Sequence, residues 1–106
     1  MIAQQRGKII NIASLTSEAA RATVAPYTAA KGGIRMLTRS MAAEWARHNI
    51  QANAIGPGYI LTEMNRALID NPEFDAWVKA SNPAGRWGKP EELAGTAVYL
   101  ASNASN

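Results

Sequence analysis

The sequence has no cysteine and a single histidine, His48. Without cysteine there are no disulfide staples and no thiolate metal sites, and the chain fits a reducing, cytoplasmic setting. One imidazole would need several carboxylates around it to hold zinc, so no metal is expected. Long apolar runs are missing too. Nothing approaches the ~20 residues of a membrane span, and Met1-Ile2-Ala3-Gln4-Gln5-Arg6 lacks the apolar stretch of a signal peptide. Blocks of like charge are also absent. The formal charge is +3, but Lys and Arg are scattered singly without aromatic interleaving, which argues against a nucleic-acid partner. Scattered cations read as a solvated surface and remain compatible with a phosphate-bearing cofactor.

What is present is small. Hydrophobic residues make up 47% of the 106, yet 21 positions are alanine, and there is one Phe beside three Trp and four Met. That inventory suits close packing of helices and strands better than a large self-contained core. A chain of this length is one domain or less, and it buries only about two-thirds of its unfolded surface, which makes stability marginal.

Gly7 opens the apolar run Lys8-Ile9-Ile10-Asn11-Ile12-Ala13, which ends at Ser14. Near-continuous hydrophobicity predicts a strand buried on both faces of a parallel sheet. Residues 15–25 read as a loop, and Pro26 suits a first helical turn. From Tyr27 to about Arg47 an apolar stripe of Ala30, Ile34, Leu37, Met41 and Trp45 predicts a helix. Gly32-Gly33 interrupts it, which is easiest to explain if a backbone or cofactor approaches there. His48-Asn49 stops the helix. Ile50 to Ile55 predicts a second strand, broken by Gly56-Pro57-Gly58. Further helices are expected from Thr62-Glu63 through Ile69, after the cap Asn71-Pro72-Glu73, and from Pro90 through Leu100, with Pro83 to Gly88 as a loop.

The order predicts one βαβ unit followed by helices, part of an α/β, doubly wound parallel sheet. Its crossover is expected to be right-handed. Two parallel strands under one helix leave a face and both edges bare, so more sheet is expected beside them.

In open parallel sheets ligands bind beyond the carboxyl ends of the strands. Here those ends are Ser14 and Gly56-Pro57-Gly58, and the helix starting at Tyr27 begins on the same side, so Ser14, Tyr27, Lys31 and Thr62 are expected to share one cleft. Tyr27 and Lys31 are four apart, on one helix face. A phenol ordinarily keeps its proton at neutral pH, and a nearby ammonium favours the phenolate, which makes a tyrosine a usable proton donor and acceptor. A serine hydroxyl can hold a carbonyl or alcohol beside it. The set suits proton transfer coupled to hydride transfer. Taken singly, each piece has a plain structural explanation: a chance Tyr-x-x-x-Lys spacing, a serine capping a turn, a Gly-Pro-Gly turn. Specificity lies in their joint order.

Asn11-Ile12-Ala13-Ser14, then Tyr27-Thr28-Ala29-Ala30-Lys31, then Asn53-Ala54-Ile55-Gly56-Pro57-Gly58, resembles the short-chain dehydrogenase/reductase family. Arg86-Trp87-Gly88-Lys89-Pro90-Glu91-Glu92 resembles a later stretch of it, so the likeness covers essentially the whole chain. The resemblance implies a Rossmann-like fold, with Tyr27 as acid/base, Lys31 assisting it and holding the nicotinamide ribose, and Ser14 orienting substrate. It also implies that the backbone around Pro57, Gly58 and Ile60, with Thr62, meets NADP or NAD. The stretches 14–18, 56–65 and 74–79 are most similar to members that interconvert D-gluconate and 5-keto-D-gluconate. A sugar acid or polyol is thus the implied small-molecule partner, and Arg66 and Arg86 are candidates to meet its carboxylate through the bidentate arginine fork. Full-length members are commonly tetramers, so a homo-oligomer is expected.

The family's glycine-rich phosphate loop is not in this sequence, nor are its ribose selector and upstream catalytic asparagine. The chain is therefore read as truncated at both ends, one incomplete part of a single dehydrogenase domain over 1–106, inactive by itself. Two rivals stand beside this reading. A serine hydrolase would need a base near Ser14, but His48 lies at the far end of the helix and no G-x-S-x-G occurs. A decayed, non-catalytic fragment acting as a packing module is the stronger alternative.

Overall fold

The β-branched run after Gly7 does form a strand. In a computed structural model describing every residue from Met1 to Asn106, β1 (Gly7–Ile12) pairs in parallel with β2 (Ile50–Ile55). Gly7 stands opposite Ile50, and Ile12 opposite Ile55. Between them runs α1 (Ala25–Trp45), with Pro26 in its first turn. It begins two residues before the expected Tyr27, because Pro26 lacks an N–H that the first turn would leave unpaired anyway. Asn49, in the left-handed region at φ 55°, ends the short 3₁₀ turn after α1 and turns the chain into β2. Asparagine tolerates this conformation better than most residues.

The chain divides into two compact units, Met1–Pro57 with Thr96–Asn106, and Gly58–Gly95. In the first, α1 packs mainly on β2, where Ile50, Ala52 and Ile55 are buried. β1 is only half-buried, and Ile12 is 55% exposed. The expected burial on both faces fails because one helix covers two strands, so an apolar strand is left without a second layer. The sheet has two strands, and the edge of each away from its partner carries no ladder.

The stripe that α1 buries is also not the expected one. Thr38 is the helix's buried residue, whereas Leu37 is 47% exposed and Ala30 lies outward. The cause is a polar zip. Asn11 Nδ2 donates to Thr38 Oγ1 at 2.8 Å, and Thr38 Oγ1 donates to the Ile34 carbonyl at 2.7 Å. With Thr38 turned inward, both groups are satisfied. A Cβ at Gly32 or Gly33 would meet nothing within 4 Å, so no close approach by this chain's own backbone explains that pair. Near the end of the chain, α4 (Ala94–Ala101) follows a 3₁₀ turn over Pro90–Leu93. Lys8 Nζ then ties β1 to Ser105 Oγ at 2.9 Å.

The second unit has its own small aromatic core. α2 (Arg66–Ile69) follows a 3₁₀ turn, and α3 (Pro72–Ser81) is capped by Asn71, whose Oδ1 accepts from the Glu73 and Phe74 N–H groups at 3.0 and 3.1 Å. Tyr59 stands edge-on to Phe74, Trp77 and Trp87, with ring centroids 5.6 to 5.7 Å apart. Such pairs add ~0.5–1.5 kcal/mol each beyond buried area. Trp87 is buried and donates its indole N–H to Asp75 Oδ1 at 2.7 Å. Gly85, at φ 67°, makes the turn that brings Trp87 back, a conformation glycine adopts without strain. No helix is long and apolar enough to cross a membrane.

Candidate active site

Ser14 leaves β1 in extended conformation (φ −162°, ψ 162°) and caps the 3₁₀ turn Leu15–Ser17. Its Oγ accepts from the Thr16 N–H at 3.2 Å, and its own N–H donates to Ser17 Oγ at 3.2 Å. The region expected to be a plain loop thus begins as a capping box. Two backbone bonds, Ala13 N–H to the Ile55 carbonyl at 2.8 Å and Leu15 N–H to the Pro57 carbonyl at 2.9 Å, carry the pairing beyond both strand ends. The turn after β1 and the turn after β2 are therefore fixed to each other. A Cβ on Gly56 would sit 3.4 Å from the Ser14 carbonyl oxygen, so a residue without one fits this approach.

Tyr27 lies in the first turn of α1 and is 40% exposed. Lys31 follows one turn later, with Nζ 5.7 Å from the Tyr27 ring centroid. The same Nζ donates to the Ile12 carbonyl at 2.6 Å, which draws the lysine toward the end of β1. Ser17 Oγ donates to the Lys31 carbonyl at 2.8 Å. Ser14, Tyr27, Lys31 and Pro57 all belong to the first unit, and a strand end, a 3₁₀ turn and a helix start position the first three.

The remaining candidates belong to the second unit. Gly58 has open space where a side chain would be. Ile60 accepts at its carbonyl from Asn65 Nδ2 at 2.8 Å. Thr62 caps the Glu63–Asn65 turn in extended conformation, with its hydroxyl not used in the cap. Arg66 faces solvent and lies 3.6 Å from Glu63. Arg86 presents its fork to Glu92, with Nη1 and Nη2 donating to Oε2 and Oε1 at 2.8 and 2.5 Å. This pairing, with the Lys89 N–H also donating to Glu92, lowers the Glu92 carboxyl to about 2 and raises Arg86.

The residues that sequence reasoning did not single out are Ser17, Asn11 and Thr38. Asn11 and Ser17 had an advance signal in lying within the stretches 11–14 and 14–18 that carry the resemblance, and Thr38 only in lying one helical turn from Ile34. Thr16 Oγ1 and Thr28 Oγ1, flanking the same turn and helix start, are buried with no protein partner. A depression of about 360 Å³ lined by Ile2, Ala43, Glu44, Trp45, Arg47 and His48 lies at the opposite end of α1. Its place, five turns from Tyr27, separates it from this chemistry.

A family profile described as enoyl-(acyl carrier protein) reductase matches residues 1–106. The chain is 53% identical to 5-keto-D-gluconate 5-reductase of Escherichia coli K12 over its whole length, which is 42% of that relative. A structure from Agrobacterium tumefaciens, provisionally assigned as a gluconate dehydrogenase, is 76% identical with a TM-score of 0.98, over 99% of this chain and 42% of that one. A gluconate 5-dehydrogenase from Burkholderia cenocepacia J2315, solved with NADP and tartrate, is 58% identical with a TM-score of 0.96, over 98% and 41%. The chain thus spans about 42% of the length of these relatives. With a strand-end serine, a helix-start tyrosine and lysine and full-length identity of this order, the chain belongs to the short-chain dehydrogenase/reductase family.

Proposed function

We propose that this chain supplies the acid/base side of an NAD(P)-dependent oxidoreductase that interconverts D-gluconate and 5-keto-D-gluconate. The observation that carries the reading is the Tyr27–Lys31 pair, with the ammonium 5.7 Å from the ring centroid and anchored on the carboxyl end of β1. The residues fit a dinucleotide. Of the three ammonium protons of Lys31 one goes to Ile12, leaving others for a ribose hydroxyl. The open space at Gly58 would let a ligand approach the backbone closely, and Pro57, Ile60 and Thr62 flank it in sequence.

When bound, the nicotinamide accepts or supplies the hydride. Tyr27 takes the proton from the substrate hydroxyl during oxidation and returns it to the carbonyl oxygen during reduction. Lys31 keeps its ammonium beside the Tyr27 ring through this exchange. Ser14 holds the reacting oxygen beside Tyr27. The relatives that act on gluconate or its 5-keto form, and the Burkholderia complex with NADP and tartrate, support a hydroxy-acid substrate. Arg66, unburied and loosely paired, is better suited to its carboxylate than Arg86, which would have to release Glu92. A homo-oligomer belongs to the same reading.

No G-x-G-x-x-G phosphate loop occurs in these residues, so the 106-residue chain is inactive alone and active when joined to the rest of a relative's domain. The test measures NADPH oxidation with 5-keto-D-gluconate for the isolated chain and for a hybrid in which it replaces the matching 41% of the Burkholderia enzyme. Turnover by the hybrid alone is expected. A folded hybrid that oxidises no NADPH, or one fully active with Tyr27→Phe, overturns the reading.

A further inference from the structure

Ser14 and the Tyr27–Lys31 pair come from different elements, so something must set their separation. The strand end fixes Ser14 only through its backbone, and the helix fixes Tyr27 and Lys31 only relative to each other. One side chain bonds to both. Ser17 Oγ accepts the Ser14 N–H at 3.2 Å and donates its own proton to the Lys31 carbonyl at 2.8 Å. Lys31 closes the circuit by donating from Nζ to Ile12, two residues before Ser14, at 2.6 Å. The loop of contacts runs Ser14, Ser17, Lys31, Ile12, and contains no other side chain.

We propose that Ser17 is a positioning residue for the reaction, a clip that holds the Ser14 hydroxyl at a fixed distance from Tyr27 and Lys31. This rests on the proposed function, since it assigns a role within that same site. A hydroxyl is the group that can do this: it offers one donor and two acceptor lone pairs on one atom, so it bonds an N–H and a C=O together. Alanine at 17 leaves the Ser14 N–H without its acceptor, and the turn can then drift along the helix. A displacement of about 1 Å in such a constellation is worth as much as ~10²-fold in rate. The adjacent ion pair of Glu18 with Arg35 also joins the turn to α1, one helical turn further on, but it lies at the surface and touches neither Ser14 nor Lys31. Exposed pairs of this kind contribute little. It therefore serves as the control for a merely structural link between the same two segments.

The experiment compares Ser17→Ala, Ser17→Thr and Glu18→Gln in the hybrid enzyme, reading kcat and KM separately. Ser17→Ala is expected to lower kcat at least tenfold with the KM for NADPH within twofold. Ser17→Thr, which keeps the hydroxyl, should restore most of it, and Glu18→Gln should stay within twofold of the parent. Ser17→Ala with unchanged kcat, or Ser17→Thr as impaired as Ser17→Ala, overturns the proposal while leaving the function intact. Activity surviving Tyr27→Phe would instead sink the function. Amide hydrogen exchange at Ser14 in the parent hybrid and its Ser17→Ala and Ser17→Thr forms reads the clip without activity. Protection lost in Ser17→Ala and kept in Ser17→Thr supports it, and equal protection in all three proteins overturns it.

Discussion

Lys31 donates to the carbonyl of Ile12 at 2.6 Å while its ammonium stands 5.7 Å from the Tyr27 ring centroid. One side chain thus joins the end of β1 to the first turn of α1. Helical spacing alone puts Tyr27 and Lys31 on one face, but it does not say where the lysine points. The carbonyl at the strand end settles that, and it places the charge between the strand terminus and the phenol.

Removing either member of this pair in the active hybrid is expected to be severe. Tyr27→Phe should lower kcat by ~10²–10⁴, the usual range for losing a positioned acid/base. Lys31→Met should lower kcat and also raise the KM for NADPH, because the ammonium serves both Tyr27 and the ribose in the proposed site. Steady-state kinetics with 5-keto-D-gluconate checks both. A Lys31→Met enzyme with unchanged KM would leave the lysine no ribose role.

The Asn11–Thr38–Ile34 zip should matter for stability rather than chemistry. Thr38 is buried, and its hydroxyl both accepts and donates. Thr38→Val keeps the shape and leaves the Asn11 amide without its acceptor, a cost of ~1–3 kcal/mol. Thr38→Ser keeps the hydroxyl and should lose less. Urea denaturation of the three proteins should rank them parent, then Ser, then Val.

Acid should loosen the second unit as pH falls through and below the ordinary carboxylate range. Glu92 is held at about 2 against an ordinary 4.5, first by Arg86 and then by the Lys89 N–H. Asp75 is lowered in the same direction, by its bonds from Lys79 and then Trp87. Both folded values lie below the unfolded ones, so both groups lose stabilisation as pH falls; that of Glu92 is complete above about 4.5 and disappears as pH falls toward about 2. Tryptophan fluorescence followed from pH 7 downward should report the change at Trp87. Glu92→Gln should flatten the part of the profile that Arg86 contributes.

Bare sheet edges should make the isolated chain self-associate. Neither strand has a second neighbour, Ile12 is 55% exposed, and parallel edges offer unpaired N–H and C=O groups to other chains. Sedimentation velocity at rising concentration should show growing species, and a thermal melt by far-UV circular dichroism should be broad. A monodisperse monomer with a sharp transition would show that the edges are protected.

The sequence by itself determined the element order and most of the candidate site. Ile9-Ile10 and Ile50 to Ile55 specify strands through β-branching, Pro26 and Asn71 specify helix starts, and Asn49 specifies a stop, because each depends on local backbone preference. Ser14, Tyr27 and Lys31 were legible as candidates because strand ends and helical spacing are local too, and their joint order carried the family resemblance. Tertiary structure alone decided which face α1 buries, since Thr38 rather than Leu37 turns inward, where Asn11 meets its hydroxyl. It also decided that β1 stays half-exposed, that the Arg86 fork closes on Glu92, and that Ser17 bridges Ser14 to Lys31. Apart from the exposure of β1, which follows from one helix covering two strands, each of these is a contact between groups on different segments, and its energy comes from satisfying a particular donor with a particular acceptor. No periodicity in the chain encodes that pairing.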